Sequence, residues 1–235
     1  MRISLFYPAF NEEANISKAV EIAGSVLGKL LSERKIEDYE IIVIDDGSAD
    51  RTGTIADKLA GQDQRVKVVH HKINLGYGAA LWSGLQAAQY EWVFFTDADL
   101  QFSLDEIGKL LEFTNEYKAI IGYRAPRRDS LVRLINAKGW NILNRILFGL
   151  KVRDIDCAFK LLDRRLVAEL PLETRGATMS AEMLIRLQRK GIRFKEVPVT
   201  HLPRTKGRAT GARLSVIIRA FRELFALYGK IYLQI

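Results

Sequence analysis

The sequence predicts an α/β fold with a mostly parallel central sheet flanked by helices. Three observations carry that prediction. Short β-branched and aromatic runs alternate with longer segments of helical period through the first half of the chain. Those runs are apolar at successive positions, as strands covered on both faces must be. Each of the first four ends in a cluster of Asp, Asn, Glu or Gly, and ligands of such sheets bind beyond the strand carboxyl ends.

Taken in order, ISLFYP (3–8), YEIIVI (39–44), VKVVH (66–70), EWVFFT (91–96) and KAIIGY (118–123) read as strands. Residues 13–35, 51–61, 76–90 and 104–116 between them read as helices. Further on, 131–150 has helical period, 155–165 reads as strand and turn, 180–191 as a helix with its stop, and 192–199 as a strand. The polar clusters are Asn11-Glu12-Glu13, Asp45 to Asp50, Asn74 to Gly78, and Asp97 to Gln101. Any one of them could be an ordinary cap or turn. Four at one sheet edge point to a binding site.

The chain has 235 residues, 48% apolar and 27% charged, with 17 Gly and 5 Pro, which excludes disordered, collagen-like and disulfide-built classes. One cysteine, Cys157, excludes an internal disulfide or a cysteine zinc cluster and favours a reducing compartment. The first apolar run is too short for a signal peptide. The uncharged stretch 73–90 is interrupted by Asn, Gly, Ser and Gln, so no spanning helix is expected.

The formal charge of +8 is unevenly divided: −7 over 1–121, +7 over 122–153, +2 over 154–203 and +6 over 204–235. Within the first basic stretch, 131–150 lacks acidic residues. It sets Arg133, Asn136, Ala137, Asn141, Asn144 and Arg145 near one stripe and Val132, Ile135, Ile142, Ile146 and Leu150 on the other side. In the tail, Arg213, Arg219 and Arg222 interleave with Ile217, Ile218, Phe221, Leu224 and Phe225. The first segment alone fits an anionic membrane surface and equally a core-facing helix with a solvated basic face; the second, repeating the theme, favours the membrane surface.

Asp97 and Asp99 flank Ala98 after a very apolar run, so a tight turn aims two carboxylates at one point. Such a pair repels itself unless a cation intervenes, and oxygen ligands suit Mg2+ or Mn2+ bridging to phosphate. Gln101 stands near enough in sequence to complete the set.

PAFNEE (8–13), DDGSAD (45–50), NLGYGAAL (74–81), DADLQ (97–101) and GYR (122–124) resemble, in order, the successive motifs of glycosyltransferase family 2. DIDCAFKLL (154–162) and RTKG (204–207) are similar to its dolichol-phosphate mannose and glucose synthases and their polyprenyl-phosphate relatives. The resemblance implies a GT-A fold over 1–210, with a nucleotide-sugar-binding part (1–123) and an acceptor part (124–210), followed by a basic amphipathic helix (211–235). It implies an inverting, metal-dependent transfer of a hexose, mannose or glucose, from GDP-mannose or a UDP-sugar to a polyprenyl phosphate. Carried over by position, Pro8, Phe10, Glu12, Ile44 and Asp46 would hold the nucleoside. Asp97, Asp99 and Gln101 would hold Mg2+ or Mn2+, with Ala98 beside the donor. Arg124, Arg204 and Lys206 would bind phosphate. Asp156 and Arg124 would be catalytic, the former as the acidic residue near the acceptor. The implied setting is the cytoplasmic face of a membrane, with a membrane-anchoring partner protein compatible with it.

A phosphate monoester acceptor has a second pKa of about 6, so it is already a nucleophile and mainly needs alignment. Asp156 has an alternative as a structural partner of Arg153 or Lys160, and Glu182 reads as a helix-surface glutamate. His70, His71 and His201 lack metal-ligand spacing. Departures from the family pattern are Phe10 in place of tyrosine, GYR in place of GSR, and Thr210 six residues after Arg204 where a lysine is usual, with Lys206, Arg208 or Arg213 available to supply that charge. A soluble family 2 transferase acting on a glycan or protein remains open. A nucleic-acid-binding module is disfavoured, since no such motif accompanies the basic stretches. A phosphohydrolase with its aspartate pair on the first strand does not fit the fourth-strand position of Asp97.

Overall fold

Strands and helices alternate as the sequence predicts in the computed structural model, which describes residues 1–126, 131–204, 206 and 214–233. Arg208, Thr210 and Arg213 lie outside the described residues, as do the side chains of Val132, Arg133 and Ile217. The chain runs β1 (Arg2–Ala9), α1 (Ile16–Ser32), β2 (Asp38–Asp45), α2 (Thr52–Gln62), β3 (Val66–His70), α3 (Tyr77–Ala87), β4 (Trp92–Phe95), α4 (Ile107–Leu111) and β5 (Ala119–Arg124). There follow α5 (Leu131–Phe148), β6 (Lys160–Asp163), α6 (Arg164–Ala168), α7 (Met179–Arg189), β7 (Phe194–Val199) and α8 (Leu214–Tyr228), which continues as a π-helical stretch, Gly229–Leu233.

The strands form one sheet in the order β3-β2-β1-β4-β6-β5-β7. The pairs β1–β2, β2–β3, β1–β4 and β5–β7 are parallel, whereas β6 is antiparallel to both neighbours. The carboxyl ends of β1 to β5 and β7 therefore share one edge with the start of β6.

Side chains of period two feed both faces. Leu5, Tyr7, Ile41, Val43 and Phe94 pack under α1 and α4, while Phe6, Ile42, Ile44, Val93 and Phe95 pack under α3 and α7. Gly84 of α3 lies on the Phe6 ring, where an added Cβ would come within 2.2 Å, so this contact requires glycine. A third cluster joins Ile121, Phe148, Ile185, Leu224 and Leu227, bringing α5, α7 and α8 together.

Two expected elements are shorter than their sequence pattern. The segment 104–116 is a 3-10 turn, Leu104–Glu106, followed by the five-residue α4. Its far end turns off because the Thr114 hydroxyl donates to the Leu111 carbonyl at 2.8 Å, a local bond that competes with helix continuation. The segment 155–165 contributes only four strand residues, because 154–159 is a loop tied to β5.

The face of α5 is the larger surprise. Asn144 is buried, whereas Ile135, Ile142 and Ile146 are 70%, 47% and 73% exposed. Its isoleucine stripe turns away from the core, contrary to a core-facing helix with a solvated basic face. No described helix is long and apolar enough to cross a membrane.

Candidate active site

All the polar clusters meet at the shared edge, and two of them are buttoned together. The Asn11 amide donates to Ser48 Oγ at 3.0 Å and the Ala49 amide to Asn11 Oδ1 at 2.8 Å. The Glu12 amide donates to Thr52 Oγ1 at 2.8 Å. Asn11 holds φ +55, a conformation Asn tolerates better than most side chains. Pro8 and Ile44 face each other in register and are buried, with Ile44 in the α3-side core. Phe10 and Glu12 are partly exposed beside them.

Asp46 is engaged by the protein itself. Its carboxylate accepts from His71 Nδ1 at 2.6 Å, Asn74 Nδ2 at 2.9 Å, and the amides of Leu75 and Gly76 at 2.9 and 2.8 Å. His71 is held in turn by Ser83 Oγ at 2.8 Å. The residue expected to hold a nucleoside thus shapes the Asn74–Gly76 loop and the entry to α3. Gly76 takes φ +97 there, a region open to glycine.

Asp97 and Asp99 follow β4 as expected, with Ala98 buried between them. Burial, and then the charge of Asp99, push the Asp97 carboxyl above its ordinary value, although Tyr77 donates its hydroxyl to Asp97 Oδ1 at 3.1 Å. Burial likewise raises the Tyr77 phenol. Arg204 enters from the segment after β7, donating to Asp99 Oδ2 at 3.2 Å and to Glu12 Oε1 at 2.5 Å. Its Nε donates to the Lys206 carbonyl, while the Lys206 side chain is exposed. Gln101 donates its amide to the Leu202 carbonyl at 3.1 Å, tying this loop to the same segment.

The donor set fits a hard divalent cation of incomplete protein coordination. A guanidinium already sits against Asp99 and Glu12, and Asp97 is raised by burial first and the Asp99 charge second, so a cation is favoured here. No cluster of three or more His, Cys, Asp or Glu ligands occurs among the described residues. Mg2+ or Mn2+ held here would draw its remaining oxygens from a diphosphate and water, the usual habit of such ions.

On the other side of β4, Arg124 makes a two-pronged pair with Asp154, Nε to Oδ2 at 2.7 Å and Nη2 to Oδ1 at 2.8 Å. The arginine expected on a phosphate thus anchors the loop before β6. Within 154–160 only Asp156 is exposed. Its charge adds to the upward push on the Tyr77 phenol, after burial and Asp97. Glu182, expected on a helix surface, is fully buried: it accepts from the Thr174 amide and hydroxyl at 2.8 and 2.6 Å and from Arg186 Nε at 2.7 Å. It secures the 173–176 segment, whose Arg175 carbonyl accepts from the Ala79 amide in the first turn of α3.

Residues 4–170 match the Glycosyl transferase family 2 profile. The chain belongs to that family. Among family 2 relatives, glycosyltransferase AglD of Haloferax volcanii is 31% identical, over 87% of this chain and 34% of its own length. An undecaprenyl-phosphate 4-deoxy-4-formamido-L-arabinose transferase of Pectobacterium atrosepticum is 30% identical over 92% of this chain and 64% of that protein. The chain therefore spans about a third to two thirds of the length of these relatives. In structure it is similar to glucosyl-3-phosphoglycerate synthase from Mycobacterium tuberculosis in complex with Mn2+, UDP and glucosyl-3-phosphoglycerate: TM-score 0.70, 23% identity, 97% of this chain and 80% of that one. The family 2 chain has the GT-A fold.

Sequence reasoning missed Tyr77, Asp154 and the Arg204–Glu12 pairing, and named Lys160 only as a partner of Asp156. Lys160 left a trace, since a lysine inside the apolar run AFKLL must be satisfied in the interior. The Arg204–Glu12 contact left none, because it joins residues 192 positions apart.

Proposed function

We propose that this family 2 chain is an inverting, metal-dependent transferase that moves a hexose, mannose or glucose, from a nucleotide sugar to a polyprenyl phosphate at a membrane surface. The observation that carries the donor half is the Asp97–Asp99 pair at the sheet edge, Asp99 buried and paired with a guanidinium and Asp97 partly exposed beside it. When bound, Mg2+ or Mn2+ supplies Lewis-acid stabilisation of the departing nucleoside diphosphate. Arg204 is poised to exchange its carboxylate partners for the entering diphosphate. Asp156 is presented where the acceptor must approach, with Arg124 and Asp154 fixing that loop.

The acceptor half is supported by the outer surface of α5 and α8. Beside the exposed isoleucines of α5, α8 exposes Ile218, Phe221 and Phe225, and the two helices touch through Trp140–Phe221 and Phe148–Tyr228. Arg145, Arg219 and Arg222 are exposed on the same helices. Apolar stripes flanked by cations suit an anionic lipid surface, and a polyprenyl phosphate resides there. The names of the relatives, which include an undecaprenyl-phosphate mannosyltransferase and a dolichyl-phosphate beta-glucosyltransferase, point to the same acceptor class. A buried, unpaired Cys157 is in keeping with the cytoplasmic face.

The test is transfer from GDP-mannose, UDP-glucose or UDP-GlcNAc to a polyprenyl phosphate in the presence of Mg2+ or Mn2+, with Asp99→Ala as control. Transfer abolished by Asp99→Ala in a folded protein is expected. Transfer to a soluble glycan or peptide with none to the lipid phosphate would refute the acceptor assignment.

A further inference from the structure

Lys160 is fully buried at the start of β6, opposite Phe95 and Ile121 in register. Its ammonium lies 5.6 Å from the Phe95 ring centroid. A buried ammonium is costly unless its protons are all engaged. Burial does push Lys160 below the usual lysine range, against the opposing pull of Cys157, Asp154 and Asp156. Its charge reaches Asp97 only as a minor downward pull, behind burial, Asp99, Tyr77 and Arg124.

Its hydrogen bonds are specific. Nζ donates to the carbonyl of Ile155 at 3.0 Å and to the carbonyl of Cys157. Those two carbonyls flank Asp156 on either side. The same loop is held at one end by the Arg124–Asp154 pair and at the other by the Gly122 amide donating to the Phe159 carbonyl at 2.7 Å. Every residue of 154–160 is buried except Asp156. A loop fastened at both ends and from beneath, with one carboxylate left outward, is built to hold that carboxylate still.

We propose that Lys160 is a positioning residue for the transfer reaction: by clamping the main chain on both sides of Asp156, it fixes that carboxylate at the acceptor end of the site. This rests on the functional reading above, in which Asp156 stands by the acceptor. Lys160 touches no substrate and acts through Asp156.

The test is a double-mutant cycle with Lys160→Met and Asp156→Asn, measured as kcat and KM for the acceptor. Beside it, calorimetric binding of nucleoside diphosphate with Mn2+ is measured. Lys160→Met is expected to lower kcat about 10- to 100-fold, the range for a reacting group displaced by about an ångström. Donor–metal binding stays within about twofold, and Lys160→Met has no further effect in the Asp156→Asn background. Multiplicative effects, an unchanged kcat in either single variant, or a parallel loss of donor–metal binding would overturn the proposal. Lys160→Gln, which keeps one donor, replaces Lys160→Met if the latter does not fold. Unfolding of both would assign Lys160 to stability alone and overturn it too. If polyprenyl phosphate is not turned over, the functional reading fails by itself; a crystal structure of Lys160→Met with Asp156 unmoved would then refute the positioning role independently.

Discussion

Removing the arginine that reaches across the site should tighten metal binding while slowing turnover. Arg204 contacts Asp99 at 3.2 Å and Glu12 at 2.5 Å, and its side chain is only 19% exposed. A cation entering between the aspartates must displace the Asp99 contact, though it can leave the Glu12 contact in place. A hydrogen bond to a charged group contributes about 1.5–3 kcal/mol. Taking the lower end for the longer contact, and about 1.4 kcal/mol per tenfold in affinity, Arg204→Ala should bind Mn2+ roughly tenfold tighter than wild type. Repulsion between the guanidinium and the ion acts in the same direction. The assay is titration of nucleotide-free protein with MnCl2 by calorimetry at fixed ionic strength, beside steady-state transfer. Tighter metal binding with slower transfer is expected. Unchanged or weaker Mn2+ binding would show that the guanidinium does not compete for the carboxylates.

Glu182→Gln should lower stability by about 3 kcal/mol, the lower end for breaking a buried pair, read as a fall of about 10 °C in a melting curve. It should also loosen the first turn of α3 through the 173–176 segment, seen as faster amide exchange at Ala79. His70, bonded first to Asp57 and then to Asp45, has its pKa raised above 6.5. Its contribution is therefore complete below pH 6.5 and is lost as pH rises through the folded value. The melting-temperature gap to His70→Asn should narrow over that window, and should correspond to no more than about 0.5 kcal/mol because the ring is 44% exposed. The double change Ile142→Asp and Ile146→Asp should abolish co-sedimentation with phosphatidylglycerol vesicles without lowering the melting temperature, since both side chains face outward.

The sheet was legible because the apolar runs of β1, β2 and β4 are dense and the polar loops after them regular. The position of Asp97 and Asp99 at the edge followed from that alone. The direction of β6 was not legible, since four residues carry no orientation in their pattern. Side-chain partners were not legible: nothing local in the sequence pairs Arg124 with Asp154, 30 positions away, or turns Glu182 inward onto the Thr174 amide. The outward face of α5 was ambiguous for a different reason. Its sequence offers two stripes that can be buried, Trp140, Asn144 and Phe148 on one and Ile135, Ile142 and Ile146 on the other. Packing against α8 decides between them.

The reversed strand β6 has a consequence for how such a fold can diversify. The loops after β1 to β4 are bound to one another by short cross-links, so they change only as a set. The region proposed to face the acceptor includes one excursion that leaves the sheet at Arg124 and re-enters it antiparallel at Lys160. Within it, the exposed face of α5 can be rewritten while the clamped 154–159 loop and the register on either side are kept. On the proposed function, a different lipid surface can thus be met by changes on that face, with the loops after β1 to β4 left as they are.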